Sequence, residues 1–90
     1  MEGDFEMNLK LNEWNESCNY ANTICKTLSD EGYNIKPKPY TMYDGRKGIY
    51  LQVFDDNGNF YTQYATGIHD TLSEMIKSID RQVNRIITEC

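Results

Sequence analysis

Apolar and polar positions follow three successive patterns along the chain. From Phe5 to Leu11 the apolar residues Phe5, Met7, Leu9 and Leu11 alternate with polar ones. Period 2 predicts a short half-buried strand or an extended arm. From about residue 13 to 31 the period lengthens: Trp14, Cys18, Ala21, Cys25 and Leu28 recur at steps of 4, 3, 4 and 3 and predict one face of a helix. Asn12 is its expected N-cap, with Glu13 and Glu16 where the helix dipole favours acids. Gly32 is expected at the left-handed C′ position, with Tyr33 following as C″ against Leu28. The last pattern is the strongest. Leu72, Met75, Ile76, Ile79, Val83, Ile86 and Ile87 share one face of a helix over about 71–88, opened by the capping-box sequence Thr71-Leu72-Ser73-Glu74.

Between the helices lie three strand-like segments. Residues 33–43 are extended, and Pro37 and Pro39 make this an edge strand or one that enters the sheet late, near Tyr40. Asp44–Gly48 is a hairpin loop, Ile49–Phe54 a strand, Asp55–Gly58 a turn carrying the Asn-Gly pair, and Phe60–Thr66 the return strand. The order (β)αβββα predicts a two-layer α+β domain over residues 1–90: a three-stranded antiparallel meander, two helices on one face, and residues 1–12 as an arm or short strand.

Loops of even length would turn Tyr40, Met42, Ile49, Leu51, Val53, Phe60, Thr62 and Tyr64 toward the helices. Thr41, Tyr43, Tyr50, Gln52, Phe54, Tyr61, Gln63 and Ala65 would then form the uncovered face. Four aromatics there, Tyr43, Tyr50, Phe54 and Tyr61, suggest a protein-binding surface. A single bulge would reverse the parity.

Composition narrows the function classes. Ninety residues hold one small core. A net charge of −5 argues against a protein that works by gripping nucleic-acid phosphates. The charge is concentrated: residues 1–31 carry seven acids and two bases. Asp30 and Glu31 sit where they oppose the helix dipole, which points to another use for them. No apolar run is long enough to span a membrane, and the first residues lack a secretory pattern. With three cysteines, an odd number, a reducing cytoplasmic setting is expected. Cys18 and Cys25 read as small core residues, about 10 Å apart along a helix and too far for a disulfide.

Catalytic and metal chemistry find little support. His69 is the one histidine, and there is no Cys-x-x-Cys, so no zinc site, metal or cofactor is expected. The run Asp55–Asn59 fails the calcium-loop spacing, because counting back from Gly58 puts Val53 at the first ligand position. The αβββα order is that of the double-stranded RNA-binding domain. That family starts its second helix with lysines, and here the position reads Asp70-Thr71-Leu72-Ser73-Glu74. Only Lys77, Arg81 and Arg85 line up as a basic row on this helix.

Two resemblances remain. Asp70-Thr71-Leu72-Ser73-Glu74 after a hairpin and a glycine resembles the HicB-type antitoxins. The αβββα order with Asp55-Asp56-Asn57-Gly58-Asn59-Phe60-Tyr61 resembles the small acidic phage anti-CRISPR proteins. The second resemblance implies a non-enzymatic inhibitor that works in the cytoplasm of a bacterial host and occupies a nucleic-acid-binding site on a nuclease. Glu13, Glu16, Asp30, Glu31, Asp55 and Asp56 would meet the basic partner, and Tyr43, Tyr50, Phe54 and Tyr61 would anchor it. The alternatives are an antitoxin-like or self-associating module, including a homodimer, and an atypical RNA-binding αβββα domain.

Overall fold

A computed structural model describes residues 9–89 of the chain. The order is α1 (Leu11–Asp30), β1 (Ile35–Thr41), β2 (Lys47–Phe54), β3 (Phe60–Ala65) and α2 (Leu72–Glu89). The strands form one antiparallel sheet in the order β1-β2-β3. This is the expected α+β architecture. Most of the first expected strand lies outside the described residues. Of its remainder, Leu9 packs against the core and Leu11 already belongs to α1.

Helix α1 starts two residues earlier than an Asn12 cap would allow. Lys10 is the N-cap, and it has no side-chain acceptor to offer. The Glu13 carboxylate instead accepts the Lys10 backbone N–H at 3.0 Å, so the acid of a capping box works without its usual partner. The other end behaves as the sequence predicts. Gly32 has φ 102°, its N–H donates to Ser29 C=O and the Tyr33 N–H donates to Leu28 C=O, a Schellman stop. At the start of α2, Thr71 Oγ1 accepts the Glu74 N–H at 3.1 Å.

The core lies between the helices and one sheet face. Ala21, Cys25 and Leu28 from α1 meet Ile35, Ile49, Leu51 and Val53 from the sheet and Met75, Ile79, Val83 and Ile86 from α2. Trp14, Cys18 and Ile76 are half-buried at its margin, and Ile87 is 45% exposed, outside the stripe expected for it. Burial pushes the Cys25 thiol up from 9.0 to about 11, and burial also raises Cys18.

Two hairpin loops set the register. In both, a backbone bond closes four residues and a wider bond closes five. Gly45 N–H donates to Met42 C=O inside the Met42–Arg46 closure, and Gly58 N–H donates to Asp55 C=O inside the Asp55–Asn59 closure. Gly45 and Gly58 have φ 94° and 84°. This is the pattern of a type I turn followed by a left-handed glycine. Each loop is therefore odd in length, and the even loops expected above are not formed.

The first hairpin keeps the consequence. Ile35 pairs with Val53, Pro37 with Leu51 and Pro39 with Ile49, so Tyr40 faces away from the helices, opposite Gly48. Met42 has left the strand for the loop. The second hairpin cancels it. Phe54 pairs with Phe60 but Val53 with Thr62, leaving Tyr61 as the extra residue of a β-bulge. Beyond the bulge Leu51 pairs with Tyr64, as expected. Phe60, expected toward the helices, lies across from Phe54 on the other face.

Candidate functional site

The open sheet face follows from this register. It carries Lys36, Lys38 and Tyr40 from β1, Tyr50, Gln52 and Phe54 from β2, and Phe60, Gln63 and Ala65 from β3. The Tyr40 and Tyr50 rings stack at 4.4 Å. Phe54 and Phe60 meet edge to face at 6.1 Å, and Lys36 Nζ sits 5.5 Å from the Phe54 ring centre. Between these aromatic pairs the Gln52 amide donates to Gln63 Oε1 at 3.0 Å. Among the described residues no acid belongs to this face.

Tyr40 lies over Gly48. A Cβ at Gly48 would overlap the Tyr40 hydroxyl and stand 2.9 Å from the Gly67 carbonyl. Glycine is therefore required by the close approach of a ring rather than by its own φ. Burial raises the Tyr40 hydroxyl above its ordinary value, Tyr50 adds to the rise, and a hydrogen bond with the Gly67 backbone opposes it.

The six acids expected to form one surface separate into two groups. Asp55 and Asp56 occupy the β2–β3 turn, where Asp55 Oδ1 accepts the N–H groups of Asn57 and Asn59, each at 2.9 Å. Asn34 ties this turn to the end of α1: its C=O accepts the Phe54 N–H at 2.8 Å, and its side chain donates to Asp55 C=O at 3.3 Å. Glu31 is three residues from Asn34, at most about 10 Å. Asp30, Glu31, Asp55 and Asp56 thus share one exposed end of the sheet. Glu13 and Glu16 belong to the start of α1, roughly 21–26 Å along the helix from Asp30. Glu13 is already engaged by the Lys10 N–H.

The expected aromatics also separate. Tyr50 and Phe54 are on the open face. Tyr43 is 100% exposed in the β1–β2 turn, at the far end of the sheet from Asp55. Tyr61 is the bulge residue and 68% exposed. Lys36, Lys38, Tyr40 and Phe60 are members that the even-loop reading missed. The signal for them was present in the two five-residue loops, each with its glycine fourth: Met42-Tyr43-Asp44-Gly45-Arg46 and Asp55-Asp56-Asn57-Gly58-Asn59.

The remaining polar groups hold elements together. Thr66 is buried and exchanges bonds with Ile49: its N–H donates to Ile49 C=O at 2.9 Å, and its Oγ1 accepts the Ile49 N–H at 3.1 Å. The Thr66 carbonyl accepts from Ser78 Oγ at 2.7 Å and contacts His69 Nε2 at 2.8 Å, joining β3 to α2. His69 is part of this joint. Tyr20 donates to Asp80 at 2.6 Å, linking α1 to α2, and this bond raises the Tyr20 hydroxyl. Arg85 lies 4.9 Å from the Tyr64 ring centre, while Tyr64 donates to Glu89 at 2.9 Å. One member of the basic row on α2 is thus engaged in packing against β3. Among the described residues no group of three His, Cys, Asp or Glu side chains is arranged to hold a metal ion, and no helix is long and apolar enough to cross a membrane.

The chain matches no family model, no curated protein and no solved structure.

Proposed function

We propose that this chain is a small non-enzymatic inhibitor of the anti-CRISPR type, acting in a bacterial host cytoplasm on the basic, nucleic-acid-binding surface of a nuclease. The observation that carries the reading is the shared end of α1 and the β2–β3 turn. Asp30, Glu31, Asp55 and Asp56 are exposed there with no basic residue in the last turn of α1. Phe54 and Phe60 flank the Asp55–Asn59 turn and meet edge to face on the open face. Carboxylates would meet the cations that normally hold phosphates, and the rings would supply contact area. Glu13 and Glu16 are too far away to share this contact.

DNA cleavage by a panel of guided bacterial defence nucleases tests the reading. The protein is expected to block at least one of them in a salt-sensitive way. The variant with Asp30, Glu31, Asp55 and Asp56 all changed to Lys is expected to lose the block, and Glu16→Lys to keep it. Inhibition retained by the fourfold variant would contradict the role of this end, and no inhibition across the panel would contradict the function.

A second reading has one observation in its favour. Among the described residues the open face joins Lys36 and Lys38 to four aromatic rings without an acid, which is the chemistry of a stacking platform for single-stranded RNA. Two phosphate contacts would give a log–log salt slope of about −1.4. Anisotropy titration of labelled single-stranded RNA checks it, and absence of binding at low salt would remove this reading.

A further inference from the structure

The two edges of the sheet are guarded unequally. Backbone groups in an antiparallel pair alternate between facing the partner strand and facing outward. Phe54 N–H bonds to Asn34 C=O and Met42 N–H to Arg46 C=O, so the even-numbered residues of β1 face β2. The outward positions of β1 are 35, 37, 39 and 41. Pro37 and Pro39 occupy two of them, where they remove outward donors and cost no bond to β2. On the other side, Thr66 N–H bonds to Ile49 C=O, so residues 62 and 64 face β2 while Gln63 and Ala65 face outward. Both keep their N–H groups. Strand β3 reads Phe-Tyr-Thr-Gln-Tyr-Ala, with no proline and no charge. Among the described residues no strand pairs with this edge.

We infer that the β3 edge is a self-association site, taking the β3 strand of a second copy of this chain in antiparallel register about Gln63. Charge selects this occupant. In a chain of net −5, β3 carries no charge, so of the two edge strands it is the one that can lie against itself without opposing like charges. Self-pairing of β1 would set its two lysines in one short seam and meet prolines at 37 and 39. The side chains agree. Gln63 Oε1 already accepts from the Gln52 amide, and a glutamine side chain also carries an NH₂ that can donate. Pairing about Gln63 sets the two Gln63 amides side by side, so that a four-residue amide ladder runs from Gln52 of one copy to Gln52 of the other. Tyr61 then lies across from Ala65 of the second copy, and the two open faces join into one six-stranded surface. This inference does not depend on the proposed inhibitor function.

Sedimentation equilibrium of the full chain over a wide concentration range tests it. The wild-type mass is expected to double from one chain to two as concentration rises. Gln63→Pro, which copies the guard of β1 and spares the backbone bonds to β2, is expected to stay a single chain with an unchanged circular dichroism spectrum. Gln63→Lys keeps the backbone N–H and the exposed position: it is expected to weaken the dimer and make it recover with salt. Tyr50→Ser, on the face but off the edge, is expected to dimerise as wild type does. A wild type that stays monomeric at all concentrations would overturn the inference, as would a Gln63→Lys protein that dimerises like wild type. Slow amide exchange at Gln63 and Ala65 in the dilute monomer would also overturn it, because the chain would then cover its own edge.

Discussion

In the β1–β2 hairpin Gly45 closes a five-residue loop, and in the β2–β3 hairpin Gly58 closes another with the same backbone bonds. The strands beyond them differ. After Gly58 the bulge at Tyr61 supplies one more residue, so Thr62 and Tyr64 return to the helix side. No bulge interrupts the pairing of β1 with β2. There the odd loop sends Lys36, Lys38 and Tyr40 to the open face and leaves Ile35 to fill the core. A loop residue therefore decides which chemistry a whole strand presents, and a bulge is the means of reversing that decision within one strand.

Deleting one residue in each outer strand separates the two cases most strongly. Removal of Lys38 turns Ile35 out of the core and carries Pro37 into a position that should donate to β2. Loss of the Ile35 burial alone costs roughly 1.5–3 kcal/mol, and the lost ladder bond adds about 0.5–1.5 kcal/mol. Urea unfolding of the variant measures the sum. The next effect concerns the ring that β1 lays over β2. Gly48→Ala puts a methyl into the space held by the Tyr40 hydroxyl, and overpacking of this kind costs about 1–3 kcal/mol. The double variant with Tyr40→Ser is expected to recover only the part of that loss due to the ring, because the Gly67 carbonyl still stands 2.9 Å from the added methyl.

Smaller effects test the likeness of the two turns. Gly45→Ala and Gly58→Ala each force an alanine into a left-handed conformation, at about 1–2 kcal/mol. Nothing stands within 4 Å of either added methyl, so the two costs should agree closely. Unequal melting shifts would show that the turns differ. Deleting Tyr61 should matter least. Its removal leaves Phe60 opposite Phe54 and Thr62 opposite Val53 in a regular ladder, with a change of under about 1 kcal/mol in unfolding free energy, within the range of ordinary surface substitutions.

A titration tests the core that both hairpins serve. Cys25 is raised from 9.0 to about 11 in the folded chain. Its protonated thiol is favoured by folding, so its contribution is fully present below pH 9 and is lost as the pH rises through about 11. Thermal melts over that window are expected to show the fall. Cys25→Ala removes this part of the pH dependence, along with some packing. An identical alkaline profile in the variant would show that Cys25 is not desolvated.

Much of this fold can be read from periodicity. The α2 helix spans five turns, so the exposure of Ile87 in its last turn does not obscure the stripe. The Gly32 stop is legible because a left-handed residue after a helix is a local requirement. The start of α1 is not legible in the same way: Lys10 has no capping oxygen, and the work is done from inside the helix by Glu13. The strands were placed correctly, but their faces rest on the parity of two loops. The Asn-Gly pair marks a turn without stating whether two or three residues lie inside it. The candidate site inherits this. Asp30, Glu31, Asp55 and Asp56 come together because chain order places α1's end beside the second turn. Lys36, Lys38, Tyr40 and Phe60 depend on parity and could not be assigned by alternation alone.

Cross-strand nuclear Overhauser contacts between Hα protons test this register most directly, because they arise where residues face each other without exchanging backbone bonds. The account predicts contacts of Pro37 with Leu51, Pro39 with Ile49 and Gln52 with Gln63. Contacts of Tyr40 with Ile49 in their place would return β1 to the opposite parity and remove its lysines from the open face.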